Sequence, residues 1–228
     1  AKSTGKQQYT IDVKLPGLLT AVMIHPPLFG AKVKSFDGTK AKSMKGVVDV
    51  VQIPRGVAIV ADNMWHAMKA REAVTVEWDT NEAEKLSSSE LMASYHEIAA
   101  KPGAATATNT GDVETAFAAA AKVIEATYEF PYLAHAPLEP LNAVARIENG
   151  RVEVWGGHQM PDVYAAISAK IAGVTADKVT LHVMKTGGGF GRRAVADGDI
   201  ISEAVSVSKA LGGRPVRVQW TREDDMRA

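Results

Sequence analysis

A glycine-rich stretch at residues 186–193 has the composition of a backbone site for an anion or an electron-rich oxygen. It has the sequence Thr-Gly-Gly-Gly-Phe-Gly-Arg-Arg, follows an apolar β-rich run at 178–184, and precedes a helical pattern at 199–211. Glycine loses more backbone freedom on folding than any other residue, so such a cluster indicates left-handed geometry or close approach of the backbone to another group. A strand, a glycine loop and a helix leave unpaired N–H groups at the helix entrance, which suit such a ligand. Arg192 and Arg193 add positive charge there.

The stretch departs from both common nucleotide-binding motifs. No Lys-Ser or Lys-Thr follows at P-loop spacing, and the third glycine of a dinucleotide fingerprint would fall on Arg192. Two interpretations stay open: a backbone cradle for a ligand other than an ordinary nucleotide, and a plain strand-to-helix turn.

Three more polar residues stand where a side chain can reach a site. Gln159 comes just after a strand predicted at 152–155, and loops at strand ends often carry function. His135 and Glu139 lie in a segment in which Pro137 and Pro140 preclude regular helix. These two either project into a pocket or belong to a rigid crossover whose polar groups satisfy nearby backbone. His25 and His66 are lone histidines and are expected to be structural.

The composition excludes several kinds of site. The chain has 228 residues, 46% of them apolar, so it can bury a core, and it has no cysteine. This rules out disulfides, thiolate zinc sites, iron–sulfur ligation and cysteine nucleophiles within the chain. A formal net charge of zero argues against a general nucleic-acid binder. No apolar run has membrane-spanning length and no signal peptide is recognisable, while a first residue that is not methionine indicates a processed chain or a piece of a longer one.

Charge is distributed unevenly. Residues 1–46 hold eight lysines and two aspartates, a net charge of +6, whereas residues 72–97 hold seven acidic residues and one lysine, a net charge of −6. These segments are either two solvated faces or a docking surface for a partner subunit.

The coarse pattern predicts an α+β fold. Strands and helices alternate as β-β-α-β-β-α-β up to residue 80, with Asp62 as a helix cap, and the polar stretch 80–89 predicts a domain boundary. Ser87 with Glu90 forms a capping box, and Asp112 caps a further helix. A β-rich run follows at 123–132. Asn149-Gly150 predicts a hairpin turn, helices are expected at 162–172 and 199–211, and a last strand at 214–220. Glu203 lies in the second of these helices and is expected to be solvated.

Together these motifs resemble the large, molybdenum-cofactor-binding subunit of the xanthine oxidase family. Along the chain, the motifs occur in the order His-Ala-Pro-x-Glu-Pro, a hairpin, Gln-x-Pro, Gly-Gly-Gly-Phe-Gly-Arg-Arg, Arg-Pro-Val and Thr-Arg-Glu-Asp-Asp-Met. The double arginine resembles the isoquinoline 1-oxidoreductase β-subunit branch, which includes membrane-associated aldehyde dehydrogenases. The N-terminal unit resembles an α/β hammerhead domain through Thr4-Gly5 to Tyr9, Asp12, Leu15-Pro16-Gly17 and Pro26-Pro27. The resemblance implies a hammerhead domain at 1–80 and the first, incomplete part of a molybdenum-cofactor-binding domain at 81–228, with a mixed sheet and packed helices.

The resemblance also implies a function. A molybdopterin cofactor, in its simple or cytosine dinucleotide form, would support hydroxylation of an aldehyde or N-heterocycle with water as the oxygen source. Gln159 would hydrogen-bond an oxo ligand through its side-chain amide, and the glycine motif, Gly188, Gly189, Phe190 and Gly191, would present backbone near the metal. Arg192 and Arg193 would hold a cofactor phosphate or pair with the 197–199 region, and His135 and Glu139 would lie near the pocket.

The implied partners are the remainder of the large subunit, a small [2Fe-2S] subunit that receives the electrons, a cytochrome c subunit and a small-molecule substrate, with no nucleic acid. The family's general base, a glutamate in a glycine-flanked motif far towards the C-terminus, has no counterpart here, so no catalytic residue and no metal ligand are assigned. We therefore expect a fragment that is inactive and cofactor-free by itself, from a periplasmic or membrane-associated parent. The alternatives are a non-catalytic anion- or nucleotide-binding module and a subunit-docking module.

Overall fold

The computed structural model describes residues 1–227, which form two compact units. The first unit combines Ala1–Ala83 with the chain from Ala134 onward, and the second is Glu84–Leu133. None of the helices within the described range is long and apolar enough to cross a membrane.

The first unit is built on a mixed seven-stranded sheet in the order β3-β4-β1-β9-β6-β7-β8. Its strands are β1 (Leu19–Ile24), β3 (Val47–Ile53), β4 (Gly56–Ala61), β6 (Asn142–Glu148), β7 (Arg151–Gly156), β8 (Val179–Val183) and β9 (Val216–Gln219). The pairs β1–β9 and β7–β8 are parallel, and the other neighbours are antiparallel. A separate antiparallel pair joins β2 (Lys32–Asp37) to β5 (Thr75–Asp79). The predicted α+β class is confirmed, and the division at residue 80 stays a prediction.

Helices cover both faces of the sheet. The first unit contains α1 (Thr39–Lys42), α2 (Met64–Arg71), α5 (Pro161–Ala172), α6 (Asp199–Ala210) and α7 (Arg222–Asp225). Side chains of β1 and β4 alternate between two cores: Ala21 and Val60 face the core that includes α5 and α6, whereas Val22 and Ile59 face the core that includes α2. Burial on both faces explains why these strands are apolar almost without interruption.

Local signals in the sequence match the local structure. Asn149 and Gly150 both have positive φ, 52° and 70°, as a type I′ turn between β6 and β7 requires. The cap of α2 is Asn63, whose side chain accepts from the His66 amide, so the expected cap at Asp62 is wrong. Asp62 instead accepts from the His66 ring at 2.6 Å.

The oppositely charged segments meet at the two-stranded sheet. Lys34 contacts Glu77 and Lys32 contacts Glu82, both at 2.6 Å, with side chains more than half exposed. Exposed ion pairs contribute about 0–1 kcal/mol each, so these contacts add little to stability.

The second unit contains α3 (Ser88–Ala99) and α4 (Val113–Ala119). The capping box of Ser87 and Glu90 and the cap at Asp112 are both present, as predicted. No described residue of this unit is buried. The β-rich run at 123–132 forms no strand there, and Ile124, Tyr128, Phe130 and Tyr132 are between 72% and 80% exposed.

Candidate functional site

The glycine-rich stretch forms a tight loop after β8. Gly188, Phe190 and Gly191 have φ values of +121°, +47° and +85°, and the Arg192 amide donates to the Gly189 carbonyl at 2.9 Å. A non-glycine residue with positive φ is uncommon, and such strain persists where the surrounding structure imposes it. Phe190 is also 79% exposed, so its ring is presented outward rather than packed in a core.

The loop presents unpaired backbone donors. The amides of Gly188, Gly189, Phe190 and Gly191 donate no hydrogen bond to any other described residue, while the Gly187 amide donates to Glu139 Oε2 at 2.6 Å. These four residues are exposed or half-buried. Successive backbone N–H groups in such a turn make a concave site for an oxygen or an anion.

Gln159 lies directly against this loop. A Cβ placed on Gly189 would lie 3.5 Å from Gln159 Oε1, which puts the carboxamide beside the turn. The Gln159 amide donates to the Arg193 carbonyl at 3.0 Å, and this bond ties the segment after β7 to the segment after β8. The parallel pairing of β7 and β8 brings these two strand ends together, so Gln159 and the glycine-rich loop are adjacent in space.

Arg193 and Arg192 both point into the protein. Arg193 is 5% exposed, and its guanidinium donates to the Gly188 carbonyl at 2.8 Å and to the Glu139 carbonyl at 3.4 Å. Arg192 pairs with Asp199 at 2.5 Å and lies over the Trp220 ring, 5.7 Å from its centroid. The sequence left two roles open for these arginines: holding a cofactor phosphate or pairing with the 197–199 region. Arg192 makes the second kind of contact, through Asp199.

Glu139 braces the start of the loop. Its Oε2 accepts from the Gly187 amide, its Oε1 accepts from Asn142 Nδ2 at 2.9 Å, and its own amide donates to the Gly187 carbonyl at 3.3 Å. His135 contacts the buried carboxylate of Asp225 at 3.1 Å. The side chains of Glu139 and His135 both bond to neighbouring protein groups. This fits the rigid crossover better than projection into a pocket.

We expect Glu139→Ala to lower the free energy of unfolding by about 1–3 kcal/mol, because the Gly187 amide and the Asn142 carboxamide each lose an acceptor. Urea unfolding of wild type and variant measures this difference. Glu139→Gln is the matched control: it retains one acceptor oxygen and should lose less. A Glu139→Ala variant as stable as wild type would show that the loop does not depend on this brace.

The expectation that Glu203 is solvated is wrong. This residue is 0% exposed, and its carboxylate contacts His25 Nε2 and Trp220 Nε1, both at 2.7 Å, and Arg55 Nε at 3.4 Å. The turn of α6 that carries it faces the sheet, so the carboxylate is buried among donors that come from distant parts of the chain. Trp220, which directly follows β9, was the one available signal, because a buried indole N–H usually finds an acceptor.

The pair of His25 and Glu203 predicts a pH-dependent contribution to stability. Burial lowers the pKa of His25, but the adjacent Glu203 carboxylate more than offsets this, so the pKa is raised above its ordinary value of 6.5. A raised histidine pKa contributes stability that is fully present below pH 6.5 and is lost as the pH rises through the folded-state pKa. The stability difference between wild type and His25→Gln, measured by urea unfolding, should therefore be largest in mildly acidic buffer and shrink at alkaline pH. A difference that does not change with pH would contradict this.

Side chains do not supply a metal site here. Within residues 1–227, no group of three or more His, Asp or Glu side chains is placed to hold a metal ion. The site therefore consists of backbone donors and one carboxamide. Such a set suits an oxygen-rich group in which ligands from outside the protein already coordinate the metal.

Comparison with known proteins gives the family. Residues 95–228 match the family model of the molybdopterin cofactor-binding domain. The membrane-bound aldehyde dehydrogenase [pyrroloquinoline-quinone] of Gluconacetobacter polyoxogenes is 37% identical over 99% of this chain and 30% of its own length. Isoquinoline 1-oxidoreductase subunit beta of Brevundimonas diminuta is 30% identical over the same shares. The chain thus spans about a third of the length of these relatives.

The fold is shared with solved structures. The aldehyde oxidoreductase from Desulfovibrio desulfuricans ATCC 27774 superposes with a TM-score of 0.74 at 20% identity, covering 99% of this chain and 30% of that one. The resemblance that the motifs predicted is confirmed: the chain belongs to the molybdopterin cofactor-binding domain family, within the xanthine oxidase type of molybdenum hydroxylases.

Proposed function

We propose that Gln159 and the loop Gly188–Gly191 receive the metal–oxygen end of a molybdopterin cofactor, in an enzyme that hydroxylates an aldehyde or an N-heterocycle. The observation that carries the proposal is that Gln159 Oε1 lies 3.5 Å from the Cβ position of Gly189, in a loop where the amides of Gly188–Gly191 are unpaired among the described residues. When bound, the cofactor supplies a two-electron oxidation of the substrate carbon with water as the oxygen source.

The residues present fit such a group. A metal-bound oxygen accepts hydrogen bonds, and backbone N–H and carboxamide NH₂ groups donate them without any change of charge. Prearranged donors of this kind need no reorganisation when charge develops on the acceptor. The Glu139 carboxylate beside Gly187 accepts from the Gly187 amide through Oε2 and from Asn142 through Oε1, so both oxygens are engaged within the protein.

The supporting residues hold the cradle open. Arg193 Nε and Thr186 Oγ1 both donate to the Gly188 carbonyl, at 2.8 and 2.6 Å, so this acceptor is satisfied within the protein. The exposed Phe190 ring can cover one side of a bound group and exclude water from it. We assign Arg192 and Arg193 to positioning of the loop, and we place His135 and Glu139 in its support rather than in contact with substrate.

Further subunits complete the proposed enzyme. The chain has no cysteine, so electrons would leave through iron–sulfur centres held elsewhere, on a small [2Fe-2S] subunit or beyond it on a cytochrome c subunit. The exposed apolar side chains at 124–132 provide surface for contact with the remainder of a large subunit. The general base is expected outside this chain, so the 228 residues alone should show no hydroxylation with any dye acceptor.

Elemental and pterin analysis of the protein from its complete reading frame tests the proposal. Stoichiometric molybdenum, released pterin and oxidation of an aldehyde or N-heterocycle with a dye acceptor are expected. Hydrolysis of the released cofactor would show whether cytidine monophosphate is attached, which distinguishes the dinucleotide form. Protein that lacks molybdenum and is instead stabilised by a nucleotide would favour the non-catalytic binding module.

A further inference from the structure

A small, partly open cavity lies beside Arg193, at the end of the glycine-rich stretch. It has a volume of about 10 Å³ and is lined by Asn142, His158, Tyr164, Arg193 and Asp199, among others. A cavity of this size holds about one water molecule, provided that two or more polar partners face it. The polar lining therefore decides whether the cavity is dry or hydrated.

His158 supplies the first polar partner. It is 6% exposed, and neither ring nitrogen has a hydrogen-bond partner among the described residues. Burial, helped by the charge of Arg193, lowers the pKa of His158 to about 4, so the ring is neutral near pH 7. A neutral imidazole has one nitrogen that accepts and one that donates. The large majority of buried polar side-chain atoms in proteins bond to protein or to ordered water, so these nitrogens are expected to have a partner.

Asn142 supplies the second. Its Nδ2 donates to Glu139 Oε1 at 2.9 Å and to the Pro140 carbonyl at 3.0 Å, whereas its buried Oδ1 receives no donor from the described part of the chain. Glu139 in turn accepts from the Gly187 amide at 2.6 Å. Asn142 therefore connects the cavity to the first amide of the loop.

We propose that this cavity binds one ordered water molecule, which donates to Asn142 Oδ1 and to the unprotonated nitrogen of His158. The two residues belong to the two arms of the site: His158 precedes Gln159, and Asn142 leads through Glu139 to Gly187. Arg193 also lines the cavity. The water thereby fixes Gln159 relative to the loop amides, with His158 as a positioning residue. The water site stands without the cofactor; its effect on cofactor retention rests on the proposed function.

High-resolution diffraction from the protein of the complete reading frame tests the water site. A single water peak between Asn142 Oδ1 and His158 in wild type, absent from His158→Phe, is the expected result. A dry cavity, or a ring whose nitrogens bond to protein atoms instead, would overturn the proposal.

A double-mutant cycle gives a second readout that does not depend on activity. His158→Phe and Asn142→Leu each remove one partner, so the double variant should lose less than the sum of the single losses in urea unfolding. His158→Gln, which keeps a donor and an acceptor, should restore most of the stability. Strictly additive losses, with no rescue by glutamine, would contradict a shared water.

Molybdenum content separates the two parts of the inference. We expect His158→Phe to retain several-fold less molybdenum than His158→Gln at equal folded fraction. Equal molybdenum in both variants, with the water present only in the glutamine variant, would overturn the positioning role of His158. An absence of molybdenum from wild type would instead count against the proposed function and leave the water site to be decided by diffraction.

Discussion

Replacing Glu203 with alanine is expected to lower the free energy of unfolding by about 3–5 kcal/mol, the range found when one partner of a buried ion pair is removed. The carboxylate is fully buried and contacts His25, Trp220 Nε1 and Arg55. Without it, the Trp220 indole N–H and the His25 ring lose their acceptor inside the protein, whereas Arg55 keeps its contact with Asp197 at 2.6 Å. The cluster also joins β1 and the turn between β3 and β4 to α6 and β9, so the loss should affect the whole first unit.

Urea unfolding of wild type, Glu203→Ala and Glu203→Gln measures this effect. Glutamine keeps an acceptor for Trp220 but removes the negative charge, so its loss should be intermediate. Glu148→Ala is the matched control, because that side chain is 61% exposed at the end of β6, and a change within about 0.5 kcal/mol is expected there. A loss for Glu203→Ala no larger than that for Glu148→Ala would refute the structural role of the cluster.

Gly189→Val should remove molybdenum from the protein while leaving its fold intact. The φ of Gly189 lies outside the left-handed region, and an added Cβ would meet its nearest neighbours, Gln159 Oε1 and Arg193 Cδ, at 3.5 and 3.8 Å, which are ordinary contact distances. The backbone therefore tolerates a side chain at this position. That side chain would occupy the space between the loop amides and the Gln159 carboxamide, where the cofactor is proposed to bind.

The expected loss of molybdenum is at least about tenfold, which corresponds to about 1.4 kcal/mol of binding free energy. Metal content is measured on protein from the complete reading frame, with the thermal midpoint as a check on folding. Gly103→Val is the control, since Gly103 lies in an exposed loop with its nearest atom at 3.6 Å. Full molybdenum in Gly189→Val would mean that the cofactor does not bind between loop and carboxamide.

Much of the candidate site could be predicted because its parts are local in the sequence. The glycine cluster requires positive φ, and three of its residues have it. Gln159 follows a strand of the hairpin that Asn149-Gly150 predicts, and the rigid sheet positions a loop at a strand end. The parallel pairing of β7 with β8, which brings these two strand ends together, was not visible in either segment alone.

The polar interior of the site could not be predicted because its contacts are distant along the chain. Glu203 and His25 are 178 residues apart, and a glutamate in a helix gives no sign that its face is buried. Arg193 illustrates the same limit: a charged residue after a glycine loop indicates a ligand contact, yet its guanidinium supports the loop from inside. The β-rich run at 123–132 has the propensity of a strand but forms none in the second unit, since propensity without a pairing partner does not make a sheet.

The central claim is that the loop amides and the Gln159 carboxamide bind one metal–oxygen unit. The most direct measurement is a crystal structure of the protein from its complete reading frame, purified with its molybdenum. We predict that Gln159 Nε2 and at least one amide of Gly188–Gly191 lie within about 2.7–3.2 Å of oxygens on that unit. Cofactor density at another place, with these donors facing only solvent, would contradict the claim.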